Sequence, residues 1–133
     1  MRVLTLKEPF ATLISKKIKT TETRSWRTKY RGKLYIHAGI KKPEYSYKSD
    51  DFKKIADKYE YNKLGYIICK CKLIDCIEMT EEFIEDMKKN HYIDYICGEY
   101  KVGRFAWILD DIELVDPIQV KGRLGIWHFN DNE

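Results

Sequence analysis

Glu22, Arg24 and Trp26 occupy alternate positions in the run Lys19-Thr20-Thr21-Glu22-Thr23-Arg24-Ser25-Trp26. In an extended chain successive side chains point to opposite faces, so these three share one face while Thr21, Thr23 and Ser25 share the other. The first face then holds a hydrogen-bond acceptor, a permanent cation and a large stacking ring. That set suits a flat, polar, phosphate-bearing ligand such as a nucleotide. The guanidinium can clamp phosphate through two parallel hydrogen bonds, the indole can stack on a base, and the carboxylate can accept from an exocyclic amine. The same three residues on an exposed strand also describe an ordinary solvated face.

Further candidates surround this run. Residues 1–48 carry thirteen Lys or Arg against three Asp or Glu, a net +10, whereas residues 49–133 sum to −6. Eight of the cations, from Lys16 to Lys33 and including Arg31, lie within eighteen consecutive residues. Such asymmetry predicts a surface that attracts a polyanion, provided folding does not intermix the halves. His37 falls on the strand face opposite Leu34 and Ile36, where it either lines a cleft with Glu22 or is a partly exposed rim residue. In Lys121-Gly122, the glycine permits close backbone approach and the lysine can reach a phosphate. Cys69, Cys71, Cys76 and Cys97 lack zinc-ligand spacing and read as buried reduced thiols, so no metal and no cofactor is expected.

The elements that must position these residues follow from periodicity. Residues 2–6 form a short strand. Pro9 suits a helix first turn, and Phe10, Leu13 and Ile14 give a helical stripe to about residue 17. A strand from Thr20 and another over 33–38 follow, the latter with Leu34, Ile36 and Ala38 inward. Ser49 and Thr80 are N-caps of two more helices, each with two acidic residues in its first turn. Residues 65–79 read as a long strand bent near Asp75, with Ile67, Cys69, Cys71 and Leu73 on one face. Residues 91–100 read as a loop with a helical turn. A strand or hairpin over 104–116, with Phe105 and Trp107 inward, is expected to end at Asp116-Pro117, before a last strand over 126–129. The length predicts one domain over 1–133 with one sizeable core. No apolar run is long enough to span a bilayer, and no leader is recognisable, so a cytoplasmic location and no membrane partner are expected.

Several segments together resemble the ASCH domain, named for activating signal cointegrator-1 homology. They are Glu8-Pro9-Phe10-Ala11, Lys19-x-x-Glu22-x-Arg24-Ser25-Trp26 and Tyr30-Arg31-Gly32-x-Leu34-x-Ile36-His37-Ala38. The strand from Gly65 to Cys76, the segment Phe105 to Leu109, and Val120-Lys121-Gly122-x-x-Gly125-Ile126-Trp127 continue the likeness, which is closest to the coactivator-type ASCH domain. The resemblance implies an α+β fold, a small PUA-like β-barrel of mixed strands with about three flanking helices, closed and with helices at its mouth. It implies nucleic acid as partner, RNA favoured over DNA, bound by Lys19, Glu22, Arg24, Trp26, Arg31, His37 and Lys121.

Two other classes of function stay open. Some small bacterial relatives hydrolyse the amide of N4-acetylcytidine with a lysine, a threonine three positions later and a distant glutamate, and others are described as ribonucleases. Lys19 matches the lysine, but Glu22 stands at the threonine position, and a carboxylate does not replace a hydroxyl nucleophile. Catalytic residues would be Lys19 and Glu22 if the chain were an enzyme. Thr21 and Thr23 are expected on the opposite face. The third class is a protein-interaction module of transcription or translation.

Overall fold

The computed structural model describes residues 1–130. In chain order its elements are β1 (Arg2–Leu6), α1 (Phe10–Ser15), β2 (Thr21–Arg24), β3 (Gly32–Ala38), α2 (Asp50–Ala56) and β4 (Tyr66–Glu78). They are followed by α3 (Glu81–Asn90), α4 (Tyr92–Ile96), β5 (Phe105–Gln119) and β6 (Ile126–His128). One mixed sheet contains all six strands in the order β2-β5-β4-β3-β1-β6. β1 runs parallel to β3, and every other pairing is antiparallel. The edge strands β2 and β6 do not pair with each other, so the sheet is a curled half-barrel rather than the closed barrel expected. No helix among the described residues is long and apolar enough to cross a membrane.

The two acidic-capped helices start where the sequence places them. Ser49 accepts a hydrogen bond from the Phe52 N–H and Thr80 from the Phe83 N–H. Among the described residues there are four helices, near the three or so expected, the added one being the short helix Tyr92–Ile96 where a loop with a helical turn is expected. That helix buries Ile96 and is continuous with a small core of Leu13, Phe52, Ala56 and Cys97.

The main core lies between the sheet and α1. It contains Leu34, Ile36, Cys69, Cys71, Leu73, Trp107 and Ile14, with Phe105 packed partly buried against it. Ile67, expected beside Cys69, instead joins Val3 and Trp127 in a separate cluster on the other face. The cause is a bulge: the β4–β5 register shifts between Ile67 and Cys69, and the β3–β4 register between Ile36 and His37. One extra residue exchanges the faces of everything beyond it. Burial pushes the Cys71 thiol up to about 12 and Cys69 higher still, as befits two thiols among aliphatic side chains.

β5 does not stop at Asp116-Pro117 but runs on to Gln119. β2 pairs only with Phe105 to Ile108, so β5 has one neighbour beyond that point. Its pairing with β4 jumps from Leu114, opposite Cys69, to Ile118, opposite Ile67, leaving Pro117 inside a bulge where no N–H is required.

Candidate functional site

β2, the loop after β6's predecessor strand and the segment beyond α4 meet around an open cleft of about 980 Å³. Lys19, Glu22, Thr23 and Arg24 line it from one side, His37 and Thr5 from the sheet, and residues 121–125 from another. Its lining includes eight Lys or Arg, at positions 7, 19, 24, 41, 48, 104, 121 and 123, against Glu22 and Glu99.

The floor is built by a short strand and the helix that follows in space. Asp94 on α4 accepts from the backbone N–H of Thr20 and Thr21 and from the Thr20 hydroxyl, which fixes the start of β2. Lys19 is 1% exposed. Its ammonium donates to the Thr21 carbonyl at 2.9 Å and the Cys97 carbonyl at 3.0 Å, and lies 3.4 Å from Glu22 Oε1. A buried ammonium persists only with such partners. Arg24 Nε lies 3.1 Å from Glu22 Oε2. That nitrogen is nevertheless buried without an aligned acceptor, so the approach is a charge contact rather than a hydrogen bond. Arg24 also reaches the Thr5 carbonyl at 3.4 Å.

His37 is buried, not a rim residue. Nε2 lies 2.7 Å from the Val120 carbonyl, which only accepts, so Nε2 carries a proton. Nδ1 lies 3.1 Å from Thr5 Oγ1, and that oxygen accepts from the Trp127 indole N–H at 3.0 Å. Both ring nitrogens are therefore engaged inside the protein. Gly122 sits directly on the imidazole: a Cβ there would come within 2.8 Å of His37 Cε1 and of Thr5 Oγ1. His37 thus anchors the loop that carries Lys121 and Arg123.

The structure brings Lys19, Glu22, Arg24, His37 and Lys121 to one cleft, but not Trp26 or Arg31. β2 ends at Arg24, so the alternation that would align Trp26 with Glu22 stops two residues short. The Trp26 ring packs edge-on against Trp107 at 4.7 Å and its carbonyl accepts from the Trp107 indole. Arg31 donates to the carbonyls of Thr28 and Tyr30 and lies 3.8 Å from Asp75. Of the eight clustered cations of residues 16–33, only Lys19 and Arg24 line the cleft. Thr23, expected to face away, lines it as well, its hydroxyl accepting from the Glu99 N–H at 3.0 Å.

Lys7, Lys41, Lys48, Gly98, Glu99, Arg104 and Arg123 enter the cleft without a motif to announce them. Lys48 lies over the rings of Phe52 and Phe10 and donates to the Gly98 carbonyl. Burial, and then the nearby charge of Lys19, hold its ammonium below the usual lysine range. Burial pushes the Cys97 thiol up to about 11, against the opposing pull of Lys19. Among the described residues no group of three or more His, Cys, Asp or Glu is arranged to hold a metal ion.

No curated protein matches the chain. Among solved structures, the fold is similar to an ASCH protein from Zymomonas mobilis, with a TM-score of 0.58 at 16% identity over 90% of this chain and 73% of that one. A tyrosine-to-phenylalanine variant of the same protein superposes with a TM-score of 0.51 at 18% identity, over 90% and 75% of the two chains. Identities this low speak for the fold. The ASCH domain family itself matches residues 4–122, a span that runs from β1 through the Lys19–Arg24 strand to the loop docked on His37. The chain belongs to the ASCH domain family.

Proposed function

We propose that this ASCH domain binds single-stranded nucleic acid, RNA in preference to DNA, in the cleft between β2 and the 121–125 loop. The observation that carries the reading is the balance of charge around that cleft. Glu22 compensates Lys19 and Arg24, and Glu99 lies 3.6 Å from Arg104. Among the described residues, Lys7, Lys41, Lys121 and Arg123 line the cleft with no ion pair to a carboxylate, and Lys48 feels only the more distant charge of Glu99. Uncompensated cations around a concave surface are what a phosphate backbone requires. The kinship of ASCH with PUA domains favours RNA. Trp26 and Arg31 lie outside the cleft and take no part in this binding.

The test is the salt dependence of binding of a fluorescent single-stranded RNA, followed by anisotropy. Five phosphate contacts predict a slope of log K against log salt of about −3.5 for single strands. Replacing both Lys121 and Arg123 by Ala is expected to reduce that slope by about 1.4, two contacts' worth. Trp26→Ala leaves the slope unchanged. Absence of salt-dependent binding by the wild type at low salt would refute the reading.

A further inference from the structure

We infer that Glu22 and Arg24 together make the cleft selective for an unpaired guanine and against uracil. The inference rests on the single-stranded binding just proposed. A carboxylate on the floor of a phosphate-binding cleft repels the backbone, so its presence there requires a purpose beyond solubility. Glu22 is the counter-ion of Lys19 and Arg24, and it also lines the cleft, where a ligand can reach it.

The hydrogen-bonding state of the pair points to what is missing. The Glu22 side chain is 9% exposed and lines the cleft. It forms ion pairs with Lys19 at 3.4 Å and with Arg24 at 3.1 Å. A carboxylate has about four acceptor sites, and these two ion pairs leave some of them to a ligand in the cleft. The adjacent Arg24 Nε–H is buried and lacks an acceptor, and the long contact from Nη2 to Thr5 leaves most of the guanidinium fork unused. A buried donor in this state is rare in native proteins and calls for a partner.

Arg24 beside Glu22 presents one donor next to two acceptors. The Watson–Crick edge of guanine is the complement: the O6 acceptor, then the N1–H and N2–H donors. Adenine and cytosine each offer a single amine donor, and uracil flanks its one N–H with two carbonyls, one of which must face the carboxylate. Base pairing hides this edge, so the base must be unpaired. Ile40, Tyr47 and Leu124 are exposed on the cleft lining and supply apolar flanks for a base entering from solvent.

The experiment measures binding of the RNA heptamers UUUXUUU, with X guanosine, inosine, N1-methylguanosine or uridine, to wild type and Glu22→Gln at one low salt concentration. Wild type is expected to bind the guanosine oligomer about tenfold or more tightly than the uridine one, the scale of one good base-edge contact. Inosine, which lacks the N2 amine, falls between them, and N1-methylguanosine falls to the level of uridine. In Glu22→Gln the preference for guanosine over uridine shrinks. Equal binding of all four oligomers by wild type overturns the inference and leaves single-stranded binding standing. A guanine preference undiminished in folded Glu22→Gln also overturns it. No binding to any oligomer removes the binding reading and this one with it. Should Glu22→Gln fail to fold, as its melting curve would show, the modified bases decide alone, because they alter the ligand and not the protein.

Discussion

Replacing Gly122 by alanine tests whether the cation-bearing loop is seated on His37. A methyl group at that position would lie 2.8 Å from His37 Cε1, 2.8 Å from Thr5 Oγ1 and 3.0 Å from His37 Nδ1. These atoms are not the ends of flexible chains. The imidazole is 1% exposed and held at both nitrogens, and Thr5 Oγ1 is held by Trp127. Relief must come from the loop, and lifting it stretches the 2.7 Å hydrogen bond from His37 to the Val120 carbonyl. Overpacking of a tight site costs about 1–3 kcal/mol, and leaving a buried donor unpaired costs about the same. The two are alternative outcomes of one clash, so about 2 kcal/mol is expected rather than their sum. For a domain of this size that lowers Tm by about 6–12 °C. Gly39→Ala is the control: it also lines the cleft, but its nearest neighbour would be 3.5 Å away, an ordinary contact. Calorimetry or circular dichroism gives both melting points. A Gly122→Ala protein that melts within about 2 °C of wild type would refute the seating of the loop.

Three further outcomes are expected. Lys19→Met leaves Glu22 and two carbonyls without their buried cation, and urea denaturation should show a loss of about 3–5 kcal/mol; a loss under about 1 kcal/mol would mean the floor does not depend on the ion pair. Burial pushes the Glu8 carboxyl above its ordinary 4.5, partly offset by hydrogen bonds from the Thr12 hydroxyl and N–H. The folded state then binds that proton more tightly than the unfolded chain, so stability is lost as pH rises from 4.5 through the folded value. The Tm of Glu8→Gln relative to wild type should accordingly climb over that range, and a difference constant with pH contradicts it. All four cysteines are buried and three have thiols raised by burial, so Ellman's reagent at pH 8 should find almost no thiol in the native protein and four after unfolding.

The sequence displays the regular parts of this fold because they follow short-range rules. Ser49 and Thr80 cap the helices they announce, and Leu34, Ile36, Cys69 and Cys71 face the core as their alternation requires. Alternation fails where a bulge inserts a residue, as at Ile67 and His37, because one strand's sequence does not reveal its partner's register. The same blindness explains Pro117, which breaks a central strand but not one bulged with a free side. In the cleft, Lys19, Glu22 and Arg24 were legible as a local motif. Trp26 was misplaced because strand length is set by the partner β5 and not by the run of threonines. Lys48, Glu99 and Arg104 were invisible because they approach β2 only through tertiary packing.

That packing also explains the segment with the weakest sequence pattern. Residues 91–100 have no strong period, yet they supply Asp94 to the N–H groups of Thr20 and Thr21, the Cys97 carbonyl to Lys19, the Glu99 N–H to Thr23 and the Gly98 carbonyl to Lys48. A strand of four residues at a sheet edge cannot hold a buried lysine and a poorly bonded carboxylate by pairing with β5 alone. Its other side is held by α4 and the residues after it, through polar contacts that no hydrophobic pattern encodes. Gly98 shows how close the two approach: a Cβ there would meet Thr23 Cγ2 at 2.8 Å. The floor is therefore held from two sides, with Glu22 of β2 matching Lys19 and Arg24 and this segment supplying carbonyl and carboxylate acceptors. Other cleft cations come from separate stretches of chain at Lys7, Lys41 and the 121–123 loop, while Lys48 borders the floor at the Gly98 carbonyl. In the proposed binding, such a site separates two tasks, the floor reading a base and the surrounding cations holding phosphate.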